Sequence, residues 1–272
     1  TTGSSNSRGC SSTGGSASRS EWSHVSRWQE FDFTHEKLTL HCHLRRPLQA
    51  VGSVGMSARR MPLMFFLHSS SGDPVADLFP MGDKWLDDDR ACPEPLFVLC
   101  PKCPDNYFWH LRGNSWAEEG GYWHTDSRGF HSWVADFAVE MEEALIALLH
   151  HVLQRVLVDR QRIFLTGVSM GGQACWQLAS RHPDLFCGVV PVASALDTGI
   201  CSEDLAAAIR GVPVLAVHGR GDRCCPLDDI ATLIARLGDG SHIEVYSKRQ
   251  SGLSIHNSAS LVAYLDMGPM LL

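Results

Sequence analysis

From Phe31 to Leu44 the apolar residues tend to alternate: Phe31 and Phe33, then Leu38, Leu40, Cys42 and Leu44. A period of two places one face of a strand on a core and the other in water, so this stretch predicts half-buried antiparallel strands. Beyond residue 60 the pattern changes. Short, nearly continuous apolar runs recur at residues 63–67, 96–99, 163–165, 189–192 and 214–217. Runs of that kind predict central parallel strands covered on both faces. Between them lie helical patterns. The strongest passes through Val134, Phe137, Ala138, Met141, Leu145, Leu148, Leu149, Val152 and Val156, the stripe of a helix packed on a sheet. Pro226 opens another helix, where its missing N–H costs nothing. Antiparallel strands followed by alternating strands and helices predict an α/β fold with a mostly parallel sheet and helices on both faces.

Residues 1–20 are almost entirely Ser, Gly, Thr, Arg and Asn, with nothing to bury, and predict a disordered tail. Residues 52–60 read as a mobile connection, and residues 21–272 as one domain, a common length for an undivided α/β fold. The formal net charge of −7 is spread along the chain, and Lys and Arg form no stripe. That distribution argues against nucleic acid or an anionic membrane as the principal partner. No run approaches the roughly 18 apolar residues of a membrane span. No charged segment followed by an apolar stretch marks the N-terminus, so the expected location is cytoplasmic, although the sequence opens at Thr1. Ten cysteines are scattered, and the one CxxC, Cys100-Pro-Lys-Cys103, has no second pair at zinc-finger spacing. Reduced thiols and no structural zinc are expected.

Chemistry concentrates in one segment, Arg162-Ile-Phe-Leu-Thr-Gly167-Val-Ser169-Met-Gly171-Gly172. An apolar strand runs into Gly-x-Ser-x-Gly and then into a helical pattern. The tight turn needs glycine at its flanks and holds the serine in a strained conformation with its hydroxyl exposed. The helix that follows points its N-terminus at the site and favours developing negative charge. Ser169 is thus the candidate nucleophile, needing a base and an orienting acid. Nucleophiles of this kind take both from later in the chain, acid before histidine. Val214-Leu-Ala-Val-His218-Gly-Arg-Gly-Asp222 is a strand ending in a glycine-containing loop with a carboxylate at its tip, so Asp222 is the candidate acid. Asp197, after the preceding strand, is its competitor, and Asp228 and Asp229 fit a helix's first turn. Of the histidines after Asp222, His242 falls inside an alternating strand over residues 241–247, whereas His256 lies in the loop beyond it. His256 is the candidate base. The Met170 N–H, next to the nucleophile, and an N–H of the loop after residue 67, best Ser70, are candidates for the oxyanion hole. His68 and His218 read as loop braces.

Together these segments resemble the esterase and predicted-peptidase branch of the α/β-hydrolases, close to the phospholipase/carboxylesterase and dienelactone-hydrolase families. The resemblance spans residues 62–265. Its other carriers are Val158-Asp159-Arg160 ahead of the elbow, Arg181-His182-Pro183-Asp184-Leu185-Phe186 after it, Phe97-Val-Leu-Cys-Pro101, and His218-Gly219-Arg-Gly-Asp222 followed by Pro226. It implies the α/β-hydrolase fold, Ser169, Asp222 and His256 as triad, ester-type substrates and no cofactor. Two positions depart from the family pattern. Ser69 follows His68 where the family has Gly, and Ile255 precedes His256 where the family has Gly. The expected activity is cofactor-free hydrolysis of a small carboxylic ester or thioester. A peptidase of the same fold and a non-catalytic binding protein are the competing expectations. Residues 107–133 carry many aromatics in what reads as a long loop, either walling an acyl pocket or packing onto the domain.

Overall fold

The computed structural model describes residues 27–47, 59–70, 72, 74, 77, 86, 92, 94–105, 109, 121–125, 131–135, 138–196, 202–247, 253–259 and 262–266. The tail at 1–20, most of the connection at 52–60 and Asp197 lie outside the described residues.

Eight strands form one sheet. They are β1 (Trp28–His35), β2 (Leu38–Arg45), β3 (Met61–Leu67), β4 (Phe97–Lys102), β7 (Val158–Val168), β8 (Gly188–Val192), β9 (Leu215–Gly219) and β10 (His242–Tyr246). Two more, β5 (Gly121–Thr125) and β6 (His131–Ala135), form a separate antiparallel pair among the described residues. The order in the large sheet is β1-β2-β4-β3-β7-β8-β9-β10. β1 and β2 pair antiparallel, as do β2 and β4, and every later pairing is parallel. The helices are α1 (Ala138–Leu153), α2 (Met170–Arg181), α3 (Ser202–Ala208) and α4 (Leu227–Leu237).

The continuous apolar runs have the predicted cause. Along β3, Leu63, Phe65 and Leu67 join one core with Met141, Leu145, Leu148 and Trp176, while Met64 and Phe66 join a second with Val98, Val190 and Tyr264. Alternate side chains therefore enter opposite layers, and a strand covered on both faces needs apolar residues throughout. On the second face, described cover comes from Leu86 and from Ala259, Val262, Ala263 and Tyr264 near the C-terminus.

Several boundaries differ from the periodicity reading. β7 runs over Val158–Val168, well beyond the apolar 163–165, because its polar first half is held by side chains. Arg162 pairs with Asp159 at 2.8 Å and with Glu94 at 2.6 Å. β4 extends to Lys102 through Pro101, whose missing N–H is tolerated because pairing with β3 stops at Leu99. Val134 is not helical: it stands opposite Tyr122 in the β5–β6 pair, and its fit to the helical stripe is fortuitous. The 107–133 segment is likewise not one loop, since β5 and β6 form an antiparallel pair within it. The run Tyr122-Trp123 opposite Trp133-Val134 is rich in strand-forming residues, a signal that the aromatic reading passed over.

Candidate active site

β7 ends at Val168, and α2 begins at Met170, leaving Ser169 alone between strand and helix. Its backbone has φ 54° and ψ −112°, a strained conformation for a residue with a side chain. Two contacts hold it there. The Ser169 N–H donates to the Val192 carbonyl at 2.8 Å, tying the turn to β8. On the other side, Gly171 lies against the end of β3: a Cβ on Gly171 would stand 1.9 Å from the Leu67 oxygen, and one on Gly167 2.6 Å from the Gly171 carbonyl carbon. The flanking glycines are thus required by backbone crossing backbone. This crossing also brings the loop that starts at His68 to the nucleophile's side.

Asp222 reaches the site from the loop after β9. Gly221, at φ +77°, makes the turn. Asp222 Oδ1 accepts the N–H groups of Cys224 at 2.8 Å and Cys225 at 3.1 Å, which fixes the carboxylate and leaves Oδ2 free to face the histidine. Its side chain has no exposed surface. His218 braces the same loop, donating from Nε2 to the Cys225 carbonyl at 2.8 Å. Burial, with the Asp222 carboxylate beside it, pushes the Cys225 thiol up to about 12. The same two causes raise the Tyr246 phenol. Both groups stay protonated at neutral pH.

His256 opens a single helical turn beyond β10. Its Nδ1 lies 2.7 Å from Asp222 Oδ2 and its Nε2 3.0 Å from Ser169 Oγ. A carboxylate offers only acceptors, so Nδ1 carries the proton and Nε2 is free to accept from the serine hydroxyl. Ile255 occupies the position of the family's glycine with ordinary helical angles, φ −56° and ψ −47°. No left-handed residue is needed, because the room is made across the sheet. A Cβ on Gly219 would lie 2.2 Å from Ile255 Cγ2 and 3.0 Å from the Tyr246 ring. Tyr246 then donates its hydroxyl to the Ile255 carbonyl at 3.0 Å. Sequence reading passed over both Gly219 and Tyr246 as supports of the histidine, since their contacts with Ile255 leave no pattern in the chain. His242 is the first residue of β10 and exposed. Asp228 and Asp229 are in the first turn of α4.

The loop after β3 is tied on three sides. His68 is 1% exposed, and its Nε2 accepts the Cys103 N–H at 2.8 Å, so its Nδ1 donates to the Ser69 carbonyl at 2.5 Å. Trp109 donates from its indole to the His68 carbonyl at 2.9 Å and is itself buried. That aromatic packs onto the domain. The Ser69 N–H is taken by Asp77 Oδ2 at 2.6 Å, which leaves the exposed Ser70 as the next amide along. Met170, at the first turn of α2, has an N–H with no intrahelical partner.

Cys42, Cys92, Cys100, Cys103, Cys175, Cys187, Cys224 and Cys225 are thiols, without disulfides. Cys100 and Cys103 are buried at and just past the end of β4, with their thiols raised by burial. No helix among the described residues is long and apolar enough to cross a membrane.

Residues 138–204, from α1 through the elbow into α3, match the prolyl oligopeptidase family. Over 68 residues the chain is 41% identical to a thermostable monoacylglycerol lipase of Bacillus sp. (strain H-257), covering 25% of this chain and 22% of that protein. The chain thus spans less than a quarter of the length of the curated relatives it matches, 21% and 22%. Among solved structures it is similar to a thermostable esterase, with a TM-score of 0.66, 21% identity, and coverage of 89% of this chain and 61% of that one. It is also similar to S-formylglutathione hydrolase (FrmB) from Staphylococcus aureus, with a TM-score of 0.63, 13% identity, and coverage of 92% and 96%.

Proposed function

We propose that this chain, whose fold is that of the α/β-hydrolases, is a cofactor-free serine hydrolase of small carboxylic esters or thioesters. One observation carries the reading: Ser169 Oγ, the His256 ring and the Asp222 carboxylate stand in line at 3.0 and 2.7 Å. His256 takes the serine proton as Oγ attacks the carbonyl carbon, then returns it to the leaving alcohol or thiol as the acyl–enzyme forms. Water enters and loses its proton to the same nitrogen as it attacks the acyl carbon, and that proton passes to Ser169 Oγ as the C–O bond breaks and the acid leaves. Asp222 holds the ring in the productive tautomer and stabilises the imidazolium. The Met170 and Ser70 N–H groups take the oxyanion's charge, supported by the N-terminus of α2. Similarity to a lipase and to esterases favours ester substrates over amides.

A fluorophosphonate probe tests the reading. The wild-type chain should form one covalent adduct, at Ser169, and Ser169→Ala none; labelling of another serine, or of both proteins alike, overturns it. The match of residues 138–204 to the prolyl oligopeptidase family favours a second reading, a peptidase using the same residues. Cleavage of a prolyl p-nitroanilide faster than a p-nitrophenyl ester would establish that one.

A further inference from the structure

We propose that Asp222, Cys224 and His256 form a binding site for Zn²⁺, and that the ion silences Ser169 by occupying the histidine it depends on. The binding half stands by itself; the silencing half rests on the hydrolase reading. One ligand atom from each residue, a carboxylate oxygen, the thiol sulfur and an imidazole nitrogen, lies within 4.8 Å of the other two. Among the described residues these three alone form such a group. The backbone itself holds the sulfur close, since the Cys224 N–H is anchored on Asp222 Oδ1 at 2.8 Å. Cys224 is exposed, so the ion has a way in, while the carboxylate beneath is fully buried.

Thiolate, imidazole and carboxylate together suit a borderline-soft ion and suit Mg²⁺ or Ca²⁺ poorly, since those prefer oxygen alone. Three protein ligands with a fourth position open to water is a familiar zinc arrangement. Bonds of roughly 2.0–2.3 Å place tetrahedral ligand atoms about 3.5 Å apart. Rotation of the exposed Cys224 side chain supplies its approach, and the Asp222–His256 pair, 2.7 Å apart around its shared proton, opens to that spacing as the ion takes the proton's place. Binding forms Zn–S, Zn–O and Zn–N bonds and releases the Cys224 thiol proton to solvent. One thiolate and one carboxylate neutralise the ion, and nothing is oxidised or reduced. The ion takes Nδ1, the nitrogen that faces Asp222, and the single ring proton moves to Nε2. His256 then no longer accepts the serine proton.

The test titrates the full chain with Zn²⁺ while following p-nitrophenyl acetate hydrolysis, and with Cd²⁺ while following the ultraviolet thiolate-to-metal band. The inference expects a Cd²⁺ band that saturates at one equivalent and is absent from Cys224→Ser. It expects hydrolysis to fall at least tenfold with Zn²⁺ and to return on adding EDTA. Cys224→Ser, compared with its own metal-free rate, should need about tenfold or more additional Zn²⁺ for the same loss. A wild-type band no larger than that of Cys224→Ser overturns the site, as does equal Zn²⁺ sensitivity of the two proteins. The Cd²⁺ band needs no turnover. A chain that shows the band without ester hydrolysis therefore keeps the site and refutes the hydrolase reading, whereas hydrolysis without the band does the reverse.

Discussion

Ile255 Cγ2 fills the space that the missing side chain of Gly219 leaves at the end of β9, where a Cβ would come within 2.2 Å of it. That contact sets the height of the turn carrying His256. Gly219→Ala should therefore push the turn outward and lengthen the 3.0 Å approach of His256 to Ser169. A misplacement on the order of 1 Å costs roughly 10²-fold in rate. Ester hydrolysis by the folded variant should fall by about that factor, with the fold checked by circular dichroism; unchanged kcat would show that Gly219 does not position the histidine.

Removing the line of groups itself should cost far more. Ser169→Ala and His256→Ala are each expected to lower kcat by about 10⁶-fold. His242 starts the edge strand β10 and is exposed. His242→Ala should leave p-nitrophenyl ester hydrolysis near wild type and change stability by no more than about 0.5 kcal/mol. Loss of activity in His242→Ala with retention in His256→Ala would reverse the assignment.

Asp222→Asn separates charge from shape. The amide oxygen can still accept the Cys224 and Cys225 N–H groups, so the loop should survive. Its NH₂ would then face His256 Nδ1, which must become an acceptor and move the ring proton to Nε2. With the wrong tautomer, kcat should drop by about 10⁴-fold. Thermal midpoints of the two proteins should agree within a few degrees.

His151 gives the fold a pH dependence of its own. It projects from α1 between Phe31 and Phe33, at ring distances of 6.2 and 5.0 Å. Burial, with Arg155 nearby, lowers its pKa to about 4. The unfolded chain takes up a proton there near the ordinary value of about 6.5, while the native protein does not. This contribution is therefore complete above about 6.5 and is lost as pH falls toward 4. His151→Phe should show a smaller fall in thermal midpoint than wild type between pH 7 and pH 4.5. An equal fall would locate the acid sensitivity elsewhere.

Sequence alone determined the parts whose physics is local. The apolar runs 63–67 and 189–192 announce strands buried on both faces, because a strand covered on both sides needs apolar residues at every position. The Gly167-Val-Ser169-Met-Gly171 spacing announces the elbow, because only glycine lets backbone cross backbone at Leu67. Chain order nominated Asp222 and His256 as partners of that serine. Tertiary structure decided what depends on distant partners. β7 extends through Asp159 and Arg162 because Glu94, far away in sequence, completes their charges. β5 and β6 exist as a pair because two short aromatic strands meet, and Val134 alone could not reveal which partner it would take. The absent glycine before His256 is harmless because the room was made at Gly219, across the sheet edge. Cys224 stands beside Asp222 and His256 because the Asp222 carboxylate folds its own loop back upon itself. A one-dimensional pattern records what each residue prefers; which preference is met depends on contacts that close only when the chain folds.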